Sequence, residues 1–171
     1  MLVNSTAATP DQITEQWQVS NDTAFVNAPK LRVRVCSSVE KHAAEQLAEQ
    51  ESTRAQAQAQ QARQLVVEGL EDDIDNLMGV YELMEGKVVN MRAVWQKQGG
   101  AEEWFMYYSS GGNWVASTRE HMEDGVSFFY MLVMTAALTP DQTRPSDVWE
   151  VCNAARTQMV DVPEVQVQRQ T

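Results

Sequence analysis

Glycine-punctuated runs of β-branched and aromatic residues fill residues 79–134, and this pattern constrains the fold more than any other part of the sequence. The runs are residues 80–83, 88–96, 103–109, 113–118 and 126–134. β-Branched and aromatic residues favour strands, and glycine in each gap takes the positive φ that tight turns need. We therefore predict a five-stranded β-meander whose first reversal lies at Gly86.

Side-chain alternation along these strands predicts which aromatic rings form the core. Trp104, Met106 and Tyr108 lie on one face of their strand, whereas Phe105 and Tyr107 lie on the other. Core packing is the usual fate of aromatic residues on alternating strands. The predicted core includes Trp95, Trp104, Trp114, Phe128 and Tyr130, whereas Phe105 and Tyr107 are candidates for rings left exposed as interface anchors.

The start of the chain repeats its last quarter. The matching segments are 1–3 with 131–133, 9–12 with 139–142, 17–21 with 149–153, and 29–33 with 163–167. The first two pairs share one offset, 130 residues. Self-similarity at a fixed period is the mark of a repeat protein. We interpret residues 1–36 as the tail of a preceding module and residues 77–168 as one complete β module.

Residues 37–76 differ in composition and predict a helical connector. Ala, Gln and Glu dominate from Ser38 to Leu70, and these are strong helix formers. Ser37 or Ser38 supplies the N-cap, with Glu40 or Lys41 beyond it, and Gly69 supplies the C-terminal stop. About thirty residues at about 1.5 Å each would span roughly 45 Å, enough to bridge two modules.

The predicted fold is therefore mainly β with one long helix, in which a small antiparallel meander sheet or barrel has about seven strands. The last two strands come from residues 148–151 and 158–168, and Pro163 places the final segment at a sheet edge or breaks it there.

Composition excludes several classes of partner. The formal charge of −11 argues against nucleic acid, because neutralising phosphates requires clustered Lys and Arg. The longest apolar run, residues 128–134, is too short to cross a membrane as a helix. Cys36 and Cys152 fit neither a disulfide framework nor a paired-cysteine metal site.

No pattern reaches the level of a catalytic or metal-binding motif, so we expect no enzyme activity, no catalytic residues and no cofactor. His42 and His121 have no second ligand at metal-binding spacing, and the sequence has no nucleophile elbow around a serine. The acidic residues 71–76 invite a calcium interpretation, but the glycine and glutamate that an EF-hand requires are missing. A solvated linker is the expectation for that segment.

Several strings resemble a module that recurs in large proteins of dinoflagellates and other algae, often in tandem with Ala/Gln/Glu-rich connectors. These strings are residues 79–82, 90–95, 105–108, 112–115 and 139–141, together with Trp149. The family implies no established activity. Its usual glycine after Asn90 is replaced here by Met91, a departure that bears on the tightness of that strand start.

Three function classes follow. The first is a non-enzymatic scaffold that binds other protein subunits at the periphery of an assembly; by analogy within algae, this is an extrinsic subunit of a photosystem with its antenna, on the soluble side of the chloroplast thylakoid. The candidate partner-binding residues are Trp17, Leu31, Val33, Val35, Phe105 and Tyr107. The alternative is a glycan- or small-ligand-binding module that uses an exposed aromatic face; a hydrolase using carboxylates ranks last.

Overall fold

The computed structural model describes residues 18–20, 25–27, 35–70, 76–125, 129–153 and 155–170. The chain forms two compact units, Met1–Gln46 and Leu47–Thr171. In the first unit, strands β1 (Gln18–Ser20) and β2 (Phe25–Asn27) pair antiparallel. Helix α1 (Ser38–Ala59) begins in the first unit and ends in the second.

The start of α1 is a capping box of the kind that the sequence predicts. Glu40 accepts a hydrogen bond from the Ser37 backbone N–H at 3.0 Å, and the Ser37 hydroxyl accepts one from the Glu40 N–H at 3.2 Å. This reciprocal pair satisfies two N–H groups that the first helical turn leaves without helical partners.

The predicted end of the helix is wrong. The helix has 22 residues and stops at Ala59, and Gln64–Glu68 forms strand β3 instead. Leu65, Val66 and Val67 bring β-branched, apolar character to this segment, and Leu65 and Val67 are buried by pairing with the sheet. Gly69 therefore follows a strand and does not cap the helix.

The second unit is built on one antiparallel sheet. Its remaining strands are β4 (Gly79–Val89), β5 (Arg92–Lys97), β6 (Phe105–Tyr108), β7 (Trp114–Ser117), β8 (Met131–Val133), β9 (Trp149–Cys152), β10 (Met159–Val162) and β11 (Gln166–Arg169). The order across the sheet is β10-β9-β8-β7-β6-β5-β4-β3-β11. The mainly β prediction is confirmed, but this sheet has nine strands where about seven were expected.

The sheet is curled into a half-barrel, and the chain itself requires the curl. β10 and β11 lie at opposite edges, which would be about 38 Å apart in a flat sheet at the usual strand spacing. Only residues 163–165 join them, and a chain of that length reaches about 14 Å. The two edges therefore approach each other. As predicted, Pro163 separates two short strands.

The first reversal of the meander differs from the prediction. β4 runs through Gly86 without turning, although its pairing with β5 is irregular between Leu83 and Val88. The chain reverses at Asn90 and Met91, where φ is 46° and 65°. Two successive positive φ values are typical of a type I′ hairpin turn. The Asn90 side chain holds this turn by donating to the carbonyls of Tyr108 (2.9 Å) and Gly125 (3.0 Å).

Both faces of the sheet carry buried apolar side chains. The larger cluster contains Trp95, Trp104, Trp114 and Trp149, and it gathers residues from strands as distant in sheet order as β3 and β9. The smaller cluster contains Phe105 and Tyr107 and includes Met122 from α2 (Arg119–Asp124), a short helix that the sequence pattern did not predict. Phe128 lies outside the described residues, and Tyr130 packs partly buried against the larger cluster.

Candidate interaction site

The predicted partner-binding residues fall into three groups. Val35 is 71% exposed just before α1, so its side chain is accessible. Trp17, Leu31 and Val33 lie outside the described residues. Phe105 and Tyr107 have no exposed surface in this chain.

The expectation that Phe105 and Tyr107 present their rings to a partner is contradicted by their burial. Both lie on the face of β6 that alternation assigned to them, but the smaller apolar cluster covers that face. The Arg119 guanidinium also lies 4.8 Å from the centre of the Phe105 ring, while two of its nitrogens contact Glu103 at 2.9 and 3.0 Å. The hydrogen bonds from Arg119 lower the pKa of Glu103.

The other aromatic rings do not form an exposed row. Among the described residues, every large apolar side chain that is exposed is aliphatic: Val35, Val39, Leu47, Val88, Met91, Met134, Val148 and Val160. The rings instead pack edge to face, with centroids 5.8 Å apart for Trp95 and Trp114 and 4.8 Å apart for Trp104 and Tyr130. A flat platform for stacking sugars is therefore not seen in the described part of the chain.

His121 takes part in a hydrogen-bonded group at the junction of β7 and α2. Its Nδ1 lies 3.0 Å from the hydroxyls of both Ser117 and Thr118. Ser117 is fully buried and also bonds Tyr107, whose pKa is raised to about 12 because burial disfavours the charged phenolate. A hydroxyl without exposed surface does not meet a substrate, so this geometry serves to hold α2 against the sheet.

Within the described ranges, no group of three or more His, Cys, Asp or Glu side chains is arranged to hold a metal ion. Most of the acidic segment considered for calcium, residues 71–75, lies outside those ranges. Both cysteines are free thiols, exposed at Cys36 and partly buried at Cys152.

No sequence pattern indicated the contact that joins α1 to the sheet. Arg92 is 96% buried, and its guanidinium contacts the Glu51 carboxylate at 2.5 Å and lies 5.1 Å from the centre of the Tyr108 ring. Ala55 and Ala59, four residues apart on one helix face, are buried beside it. The last part of α1 is thus packed onto the sheet and is not a free spacer.

The described residues of the second unit line a groove and a cleft, among other concave surfaces. A groove of about 570 Å³ lies between α1 and the loop after β8, and a cleft of about 380 Å³ lies beside β11. The cleft is lined in part by Asp141, which forms an ion pair with Arg169, and by Trp149. The groove is lined by Leu47, Gln50, Glu51, Arg54, Gln58, Ala136, Ala137, Leu138 and Gln142.

The hairpin of the first unit matches a hairpin of the second in register. Val19 pairs with Val26 in β1–β2, and Val151 pairs with Val160 in β9–β10. The neighbouring pairs correspond as well: Gln18–Asn27 with Glu150–Asp161, and Ser20–Phe25 with Cys152–Met159. The two-residue difference in offset falls in the loop between the strands.

No protein-family model, curated protein or solved structure matches this chain. In the part of the chain that the structure describes, no helix combines the length and apolar character needed to cross a membrane.

Proposed function

We propose that this chain is a non-enzymatic scaffold subunit, built from tandem β modules joined by helical connectors, that binds other protein subunits at the edge of a larger assembly. The observation that carries the proposal is the shared register of the β1–β2 and β9–β10 hairpins. Sequence likeness alone leaves strand pairing open, so equal pairing at equivalent positions supports a repeated structural unit.

The sequence correspondence also suggests why residues 1–36 need a partner. Trp17 is the counterpart of Trp149, and Leu31 and Val33 are the counterparts of Val165 and Val167. In the complete module these three counterparts are only 2%, 4% and 6% exposed. A fragment of two or three strands is marginal in water unless its apolar face is covered. We propose that a neighbouring protein surface supplies that cover.

The identity of the assembly rests on the resemblance to algal repeat modules alone. Within the proposal it is a photosystem with its antenna proteins, with this chain as an extrinsic subunit on the soluble side of the thylakoid. Enzymatic activity has no part in the proposal.

The test compares the full chain with a variant lacking residues 1–36, each added to an extract of the organism's own cells and separated on a native density gradient. We expect the full chain to sediment with a large assembly and the deletion variant to remain free. The control is thermal unfolding followed by the four tryptophans of the second unit, which should occur at nearly the same temperature in both proteins.

Three results would contradict parts of the proposal. If the full chain does not sediment with an assembly in the extract, the proposed scaffold function is wrong. Co-sedimentation with an assembly in fractions without chlorophyll absorbance supports the scaffold function but contradicts the proposal that the assembly is a photosystem. If the deletion lowers the melting temperature strongly while incorporation persists, residues 1–36 belong to the complete module and the docking idea fails.

The alternative, ligand binding through an exposed aromatic face, has less support. The described tryptophans are at most 2% exposed, so they cannot stack on a sugar from solvent. A change in tryptophan fluorescence on titration with simple sugars would revive this alternative.

A further inference from the structure

The chain enters and leaves the nine-stranded sheet at one place. β3 lies before the predicted module of residues 77–168 but is the first strand of this sheet, so we extend the module to residues 64–170. β11 is its last strand, and the two strands pair antiparallel with Leu65 opposite Arg169. One residue further out, the Gln170 N–H donates to the Gln64 carbonyl at 3.0 Å. The backbone positions at the two ends are therefore about 5 Å apart, the usual separation across an antiparallel pair.

β11 is held by few interactions. It has four residues, pairs with β3 alone in the described sheet, and exposes every residue except Val167. Val165 just before it and Val167 within it pack into the larger apolar cluster, and β11 also contacts the 3-10 turn Pro140–Gln142, where Asp141 forms an ion pair with Arg169. An edge strand of this length contributes a small share of the contacts that stabilise the sheet.

Tension applied through the two ends acts across the strands, not along them. Tension that arrives through α1 first meets the contacts at this shared end: the ion pair between Glu51 and Arg92, and the bonds from Trp95 Nε1 to the Ala62 carbonyl and from the Leu83 N–H to the Arg63 carbonyl. The bond between Gln64 and Gln170 is loaded next, and each later pair of β3 and β11 is loaded only when the previous one has broken. Breaking bonds one after another needs less force than breaking them together, because the load is never shared by the whole ladder. Forced unfolding is governed by this rate of opening and not by equilibrium stability alone.

We infer that the module is a force-releasable length reserve: under tension along a tandem chain, β11 separates from β3 and the module opens from its ends. This inference rests on the proposed tandem scaffold, since tension reaches a module only through its connectors. Unfolding residues 64–170 releases about 350 Å of chain, at about 3.3–3.6 Å per residue. The same module relaxes to nearly zero length between its ends when it refolds.

The experiment pulls single molecules of the full chain in two directions with optical tweezers. Cys36 and Cys152 are replaced by serine, and a handle cysteine is placed at exposed Gln61 (Gln61→Cys). In the first geometry the second handle follows Thr171, so force separates β3 from β11 end by end. In the second geometry the handle is at exposed Glu164 (Glu164→Cys), near the far end of β3, so force acts along that strand.

We expect a single extension of about 350 Å at low force in the first geometry and a several-fold higher opening force in the second. Arg169→Gln, which removes the ion pair with Asp141, should lower the force in the first geometry and leave the second nearly unchanged. Matching thermal unfolding of all variants verifies that each has folded before it is pulled.

Equal opening forces in the two geometries would overturn the inference. The measurement uses the isolated chain and needs no assembly. A chain that opens at low force in the first geometry yet joins no assembly in extract therefore contradicts the scaffold proposal but supports the opening mechanism. Equal forces in the two geometries together with normal incorporation contradict the opening mechanism but support the scaffold proposal.

Discussion

Met91 occupies a backbone conformation that favours glycine and strains other residues. Comparing glycine and alanine at this position measures the free energy of that strain. Its φ is 65° in the turn between β4 and β5, and its side chain is 45% exposed. Non-glycine residues in this left-handed region lose about 1–2 kcal/mol through the clash of Cβ with the following carbonyl. Asn90, also at positive φ, tolerates the region better because its short polar side chain bonds locally.

A direct comparison of Met91→Gly with the wild type would mix two effects, because the glycine also loses the contacts of a half-buried side chain. Met91→Ala removes those contacts and keeps the strain, so the difference between the two variants measures the backbone alone. We expect Met91→Gly to be more stable than Met91→Ala by about 1 kcal/mol, after allowing for the larger unfolded-state entropy of glycine. For a chain of this size, that is about 2–4 °C in melting temperature.

Val88 supplies a matched control on the same hairpin. It is 39% exposed and pairs with Ala93 at the end of β4, outside the left-handed region that Met91 occupies. There the glycine variant should be less stable than the alanine variant by about 0.5–1 kcal/mol. Urea unfolding followed by tryptophan fluorescence measures all four variants. If the change from alanine to glycine alters the free energy of unfolding in the same direction at positions 88 and 91, Met91 does not carry the backbone strain inferred from its φ.

Three further predictions concern the ion pair between α1 and the sheet, the buried Tyr107, and the close backbone approach at Gly69. In urea unfolding, Glu51→Gln should lower the free energy of unfolding by about 2 kcal/mol and Arg92→Met by clearly less, because only Glu51→Gln leaves the buried guanidinium without its anion. Equal losses of stability in the two variants would contradict this prediction. Because folding raises the pKa of Tyr107, the neutral phenol stabilises the fold fully below about pH 10, and this stabilisation is lost as pH rises towards 12. The free energy of unfolding of Tyr107→Phe should therefore fall less steeply in this alkaline range than that of the wild type. Parallel pH profiles of the two proteins would contradict this prediction. Gly69→Ala should destabilise by at least about 3 kcal/mol in thermal unfolding, because its φ is 107° and a Cβ would lie 1.9 Å from the Glu164 carbonyl oxygen; a near-neutral result would refute the close approach.

Local patterns were sufficient for the parts of the fold that depend on neighbouring residues. Alternation correctly separated Trp104 and Met106 from Phe105 and Tyr107, because side chains of a strand point to opposite faces. The capping box at Ser37 and Glu40 was readable for the same reason: both partners lie within one helical turn.

The errors occur where a local preference competes with strand pairing. Gly86 offers a turn, but pairing of β4 with β5 resumes at Val88 and carries the strand onward to Asn90. Gln64–Glu68 continues a helix-forming composition, but pairing with β4 on one side and with β11 on the other makes it a strand. β11 lies at the far end of the module in sequence, and strand propensity depends strongly on such context.

Exposure at the candidate site was also decided by the tertiary structure. The sequence indicated which rings share a face, but it could not show that apolar clusters cover both faces of the curled sheet, which buries Phe105 and Tyr107. The buried contact between Arg92 and Glu51 joins residues 41 positions apart and has no local signal. By itself the sequence determined the β-rich fold and the capped start of its helix, because these follow from periodicity and short-range bonding; its self-similarity is the basis of the proposed repeat. Only the tertiary structure decided the curl of the sheet and the meeting of β3 with β11, because both depend on pairing between opposite ends of the module.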